Sequence, residues 1–182
     1  MATPQINSAA KNGCIISLVL VVLLIIDWQL KISLYGNSAM GFLQFVTLTT
    51  LLYIFTRRMA ISKGDAGMTY GNSLGYIVSM MLFAGVIIGI FQYVMQNYIA
   101  VEYYKEIMDY AMLKAGGNTG SPAFEEGMAL AQRLQSSIVF VVLWTMFVMM
   151  LYGVVIGLVA SAFLMRKPNI FADTNRSNGS EV

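Results

Sequence analysis

Residues 137–165 read SIVFVVLWTMFVMMLYGVVIGLVASAFLM, a stretch without one charged side chain. The hydrocarbon core of a bilayer is about 30 Å thick and takes roughly 20 apolar residues to cross at 1.5 Å rise per residue. This stretch is longer than that. It stops at Arg166–Lys167–Pro168, two cations that favour water and a proline that cannot continue a helix. It is a membrane span, and it sets the class of the chain.

Three blocks upstream repeat the pattern. The first span covers about residues 13–34, with CIISLVLVVLLII followed by the mixed end DWQLKISL. Gly36–Asn37–Ser38 reads as a tight turn. The second span covers about 39–56 and ends at Arg57–Arg58; Thr47, Thr49 and Thr50 can bond carbonyls one turn back, which suits a membrane helix. A short basic loop, residues 57–71, leads to the third span, about 72–99, where Gln92, Gln96 and Asn97 are the strongly polar members. The composition agrees. The 182 residues are 58% hydrophobic and 11% charged, with a mean hydropathy of +0.69, whereas soluble domains carry about 25% charged residues. A rival reading of the first span is a secretory signal peptide, with Lys11 before an apolar run from Cys14 to Ile26 and cleavage near Ser38–Ala39. Asp27, Trp28 and Lys31 stand where small residues are expected, which counts against it.

Residues 100–136 form the one sizeable soluble segment. Val101, Tyr104, Ile107, Met108 and Met112 recur at helical spacing, with Glu102, Lys105, Glu106 and Asp109 between them. That predicts an amphipathic helix ended by Gly116–Gly117. Ser121–Pro122 reads as the start of a second helix, with Glu125 and Glu126 near its positive end; this helix is expected to run on through Arg133 into span four. The expected fold is therefore an all-α membrane protein, a four-transmembrane-helix bundle with two short amphipathic helices between spans three and four. Residues 1–12 are an N-terminal segment, 13–167 the membrane domain, and 168–182 a polar tail, disordered by composition.

Cations set the expected orientation. With the N-terminus inside, Lys11, Arg57, Arg58, Lys63, Arg166, Lys167 and Arg176 lie on the cytoplasmic side. Lys31, Lys105, Lys114 and Arg133 lie outside, outnumbered in the long loop by Glu102, Glu106, Asp109, Glu125 and Glu126. Both termini are expected in the cytoplasm.

Function classes fall away quickly. Net charge is +2, which gives no nucleic-acid signal. Histidine is absent and Cys14 is the single cysteine, so there is no imidazole base and no intrachain disulfide. The fourteen methionines, Met146, Met149 and Met150 among them, fit packing and lipid contact better than copper handling. No phosphate loop or nucleophile elbow appears, and the GDAG run at Gly64 sits in a short turn. No enzymatic activity, metal or cofactor is expected.

Asp27 is the candidate of most interest, since a charge costs on the order of 2.5–3.5 kcal/mol at mid-bilayer and less toward the interface. Two readings stand: a proton or cation site, because a carboxyl in low dielectric exchanges protons more readily near neutral pH, or an interfacial ion pair with Lys31 at i+4 beside the aromatic anchor Trp28. Gln92 and Gln96, at i and i+4, share a helical face and are the other ion-pathway candidates, or simply interfacial residues beside Tyr93 and Tyr98. Small residues recur every fourth position: Gly67, Gly71, Gly75 and Ser79, then Gly85 and Gly89, and in span four Gly153, Gly157 and Ser161. Such rows let helix backbones approach closely, within one chain or between two copies.

The stretch MTYGNSLGYIVSMMLFAGVIIGIFQYVMQNYI, the following YYKEIMDYAM, and the closing GVVIGLVASAFLMRK together resemble a family of small bacterial four-span proteins catalogued only as a domain of unknown function. The features that carry the likeness are Tyr70–Gly71 at the head of span three, an aromatic exit, a charged helical excursion and a Gly-rich last span. The resemblance covers most of the chain up to Lys167 and implies a bacterial inner membrane; it brings no catalytic or ligand residues. The reading that follows is a non-enzymatic structural or accessory membrane subunit. Its partners are the lipid bilayer and either a second copy or another membrane protein. The alternative is a small proton- or cation-coupled transporter or channel that uses Asp27.

Overall fold

A computed structural model of the chain describes residues 3–33, 38–63, 68–114 and 122–164. The described residues form six helices: α1 (Thr3–Leu30), α2 (Ala39–Ser62), α3 (Tyr70–Val94, prolonged by a π-helical turn Met95–Ile99), α4 (Val101–Lys114), α5 (Pro122–Gln135) and α6 (Ile138–Leu164). Four of them, α1, α2, α3 and α6, are long and apolar enough to cross a membrane. Several sequence expectations lie outside the described residues: the Gly36–Asn37 turn, Gly64, Gly67, Gly116–Gly117, Ser121, Arg166–Lys167 and the tail.

Helix ends follow local chemistry. Thr69, in extended conformation, caps α3 by accepting from the Asn72 amide at 3.4 Å. α1 ends on a Schellman turn: Ile32 N–H reaches the Asp27 carbonyl, Lys31 N–H reaches the Trp28 carbonyl, and Lys31 is left-handed at φ 51°. A lysine there costs on the order of 1 kcal/mol relative to a right-handed residue, so something nearby must hold the turn. α5 does not run on into α6. The chain breaks at Ser136–Ser137, and Ser137 Oγ accepts from the Phe140 amide at 3.4 Å, opening a new helix. α1 also starts earlier than the first span required, taking residues 3–12 into the helix, and α2 continues past Arg57–Arg58 to Ser62.

α3 is central and packs along most of its length on α6 and on α1, whereas the backbone of α2 stands further from its neighbours and reaches the core through side chains such as Leu48, Leu52, Phe55 and Ala60. α3 runs antiparallel to α6, because Gly85 meets Met146 and Met149 while Gly157 meets Leu74 and Ile77. It runs parallel to α1, with Gln5 beside Asn72 and Gly13 beside Met80 and Ala84. Tyr76, Ile77, Met80, Met81 and Ala84 of α3 are buried with Ile16 and Leu20 of α1 and Leu52 of α2. Between apolar helices in lipid there is little hydrophobic drive, so close backbone approach and polar ties must do the holding.

Candidate functional site

Asp27 lies one turn before the end of α1 and is 8% exposed. Its Oδ1 accepts from the Ser33 amide at 3.0 Å and from Ser33 Oγ at 2.9 Å. Its Oδ2 accepts from Tyr103 Oη at 3.1 Å, on α4. The carboxylate thus folds the chain back over the end of α1 and fastens α4 to it, and the Ser33 bonds hold the left-handed turn at Lys31. Lys31 does not pair with Asp27, as i+4 spacing suggested. The left-handed turn ends the helix before Lys31, and its Nζ reaches Glu106 Oε2 on α4 at 3.2 Å, both side chains about half exposed. Burial and the neighbouring Asp27 charge push the Tyr103 phenol above its ordinary value of 10.0, and the same two causes raise Tyr104. Tyr103 therefore remains a donor throughout the neutral range. Met95, Ala100 and Tyr103 form a small buried cluster around this tie, with Trp28, Phe91, Tyr104 and Ile107 packed on it.

The π-helical turn shapes the rest of this end. Ala100 N–H bonds Met95 O at 2.8 Å, five residues back. Asn97 Nδ2 donates to the Tyr93 carbonyl at 3.0 Å and to the Gln135 carbonyl at 3.3 Å, the latter the last carbonyl of α5, which has no acceptor role left within its own helix. The two glutamines line different clefts. Gln92 accepts from Thr145 Oγ1 of α6 at 3.3 Å and lines a cleft of about 280 Å³ with Gln44, Leu48 and Met149. Gln96 lines a different cleft, about 300 Å³, with Tyr104, Lys105 and Gln132. Its Oε1 is buried without a hydrogen-bond partner among the described residues. Asp27 lines neither cleft, so Asp27, Gln92 and Gln96 do not converge on one path.

The small residues divide in two. A Cβ built on Gly85 would stand 2.9 Å from Met146 Cα, and one on Gly89 2.9 Å from Val142 Cα. Gly153 and Gly157 meet α3 through side chains, Met81 Cγ and Leu74 Cδ1, each at 2.8 Å. These four make the α3–α6 seam. Ser161 is fully buried in the same helix, with its Oγ unpartnered among the described residues. Gly71 and Gly75 have open space around them; with Ser79, whose Oγ bonds the Gly75 carbonyl, they border a shallow cleft against α1. Gly13 escaped sequence reading because it stands alone: its Cβ would lie 2.6 Å from the Met80 carbonyl oxygen, so it sets the α1–α3 approach.

Among the described residues, no three His, Cys, Asp or Glu side chains gather as metal ligands. One family, described as a protein of unknown function (DUF4199), matches residues 11–166. No curated protein and no solved structure matches the chain.

Proposed function

The chain belongs to the DUF4199 family of proteins of unknown function, and from that premise we propose that it acts as a non-enzymatic accessory subunit of a bacterial inner membrane. In this reading the four membrane-capable helices form a bundle with both termini cytoplasmic, and α4 and α5 present a surface outside the membrane. The observation that carries it is the use made of Asp27. The charge most suggestive of transport is spent on Ser33 and Tyr103, tying α4 onto the bundle. α5 meanwhile keeps Leu130 59% exposed, an apolar side chain suited to a partner. A photo-crosslinking amino acid at Leu130 should capture one membrane protein in near-stoichiometric yield in native membranes, while the same group at Phe42, 70% exposed on α2, should label lipid. Equal, diffuse labelling from both positions would defeat the accessory reading.

A transporter is the second reading, favoured by the cleft that Gln44 and Gln92 share between α1, α2, α3 and α6. It predicts a proton or cation flux in liposomes that falls in Gln92→Leu. Loss of flux in Asp27→Asn without loss of stability would restore Asp27 to the pathway.

A further inference from the structure

At the end of the molecule opposite Asp27, α1 and α2 face each other across a cleft of about 330 Å³. Each helix lines it with residues at i, i+3, i+4 and i+7, the spacing of one helical face. On α1 these are Ser8, Lys11, Asn12 and Ile15; on α2 they are Phe55, Arg58, Met59 and Ser62. The helices run antiparallel, since residues 20 and 24 meet 41–48 at the far end. The two faces are therefore in matching order. Along the helix axes the serines stand nearest the helix ends, the exposed cations Lys11 and Arg58 a turn further along, and Ile15, itself 38% exposed, with the buried Phe55 about 10 Å of helix beyond the serines.

Tyr76 of α3, 1% exposed, closes the back of the cleft. Its hydroxyl accepts from Asn12 Nδ2 at 2.7 Å and shares a hydrogen bond with Ser8 Oγ at 3.1 Å. The polar wall is thus held in place from within the helix core. Lys11 and Arg58 enter no ion pair among the described residues, where the one such pair is Lys31 with Glu106 at the other end. α2, α3 and the first half of α1 carry no carboxylate at all, and Arg57 and Lys63 add charge of the same sign. Asp65, the carboxylate of the α2–α3 loop, lies outside the described residues.

Two unpaired cations, hydroxyl and amide donors, and apolar side chains further along the helices are the complement of a phosphate ester carrying acyl chains. We propose that this cleft binds the headgroup of an anionic phospholipid. Lys11 and Arg58 grip the phosphate, Ser8 and Asn12 offer hydrogen bonds, and the acyl chains leave past Ile15 and Met59 into the bilayer; Ser62 only borders the cleft, its hydroxyl donating to the Met59 carbonyl at 2.8 Å. The site is independent of Asp27 and of the partner surface on α5.

Purified full-length protein in neutral maltoside micelles, titrated with phosphatidylglycerol and read by native mass spectrometry, tests the assignment. Removing both charges in Lys11→Gln/Arg58→Gln should weaken binding about 30-fold, taking each cation near a phosphate surface at its usual weight. Lys11→Arg/Arg58→Lys keeps both charges and should keep binding, which separates loss of the site from loss of the fold. Arg57→Gln, one residue off the lining face, should change little. Phosphatidylcholine or inorganic phosphate binding as tightly as phosphatidylglycerol would overturn the lipid assignment. An equal loss in Arg57→Gln and Arg58→Gln would overturn the cleft, leaving diffuse surface attraction in its place.

Discussion

The contacts of α6 with α3 and with α2 are built on opposite terms. Against α3 it lies so close that glycines at 85 and 89 leave no room for a methyl group before the backbone of Met146 and Val142. Against α2 it leaves an apolar groove of about 470 Å³ lined by Phe45, Tyr53, Val155 and Phe163. A second cleft of about 280 Å³ separates α2 from α1, α3 and α6 nearer the Asp27 end. α2, α3 and α6 are all apolar enough to cross a membrane, and between such helices in lipid the burial of apolar area is a weak drive for either contact. In lipid the difference is made by how nearly backbones can approach and by the polar ties between them. α1, α3 and α6 form a tight unit with Gly13, Gly85 and Gly89 at its contacts. α2 stands further off, meeting the unit through side chains such as Leu48, Leu52 and Phe55, with clefts on its flanks.

Forcing bulk into the seam should break the contrast most visibly. Gly89→Leu must push Val142 backbone away, at a cost of about 3 kcal/mol, whereas Gly41→Leu on α2, with nothing within 4 Å of its Cβ, should stay within about 0.5 kcal/mol. Reversible unfolding in mixed micelles reads both. Equal losses would erase the distinction between the two contacts.

The polar tie comes next. Asp27→Ala leaves Tyr103 without its acceptor and Ser33 without two bonds, and should cost about 2–3 kcal/mol. Tyr103→Phe should cost about 1 kcal/mol, and the two should be non-additive in a double-mutant cycle. The phenol is raised in the folded state, so its contribution is complete below the ordinary tyrosine value of 10.0 and is lost as pH rises beyond it. Wild-type stability should thus fall in strong alkali more steeply than that of Tyr103→Phe. Parallel pH profiles would remove Tyr103 from the tie.

Smaller substitutions sharpen the seam. Gly85→Ala meets backbone and should cost about 2 kcal/mol, while Gly153→Ala meets the flexible Met81 side chain and should cost about 1 kcal/mol. Glu106→Gln removes an exposed pair with Lys31 and should change stability by less than about 1 kcal/mol.

The membrane class, the four long helices and the family resemblance were all legible from the sequence, because block length and charge-free composition report directly on the bilayer. Span limits were less so. Residues 3–12 joined α1 through contacts to α3, such as Asn12 with Tyr76, that hydropathy does not encode. Every-fourth spacing marked small residues without telling Gly85 and Gly89, which press on α6, from Gly71 and Gly75, where an added Cβ would meet open space. Asp27 stood out by cost alone, and its partners came from a left-handed turn and from a residue 76 positions away. The basic cleft escaped because its two faces lie on separate helices, and only the fold brings Lys11 opposite Arg58.

Distances between spin labels in lipid nanodiscs, with Cys14 replaced by serine, test the tight-unit account most directly. One pair sits at Ile90 of α3 and Leu143 of α6, the other at Tyr53 of α2 and Val159 of α6, all on exposed positions. The account predicts a narrow distance distribution for the α3–α6 pair whatever the lipid, and a broader one for α2–α6 that shifts with acyl-chain composition. Distributions of equal width, both insensitive to lipid, would contradict it.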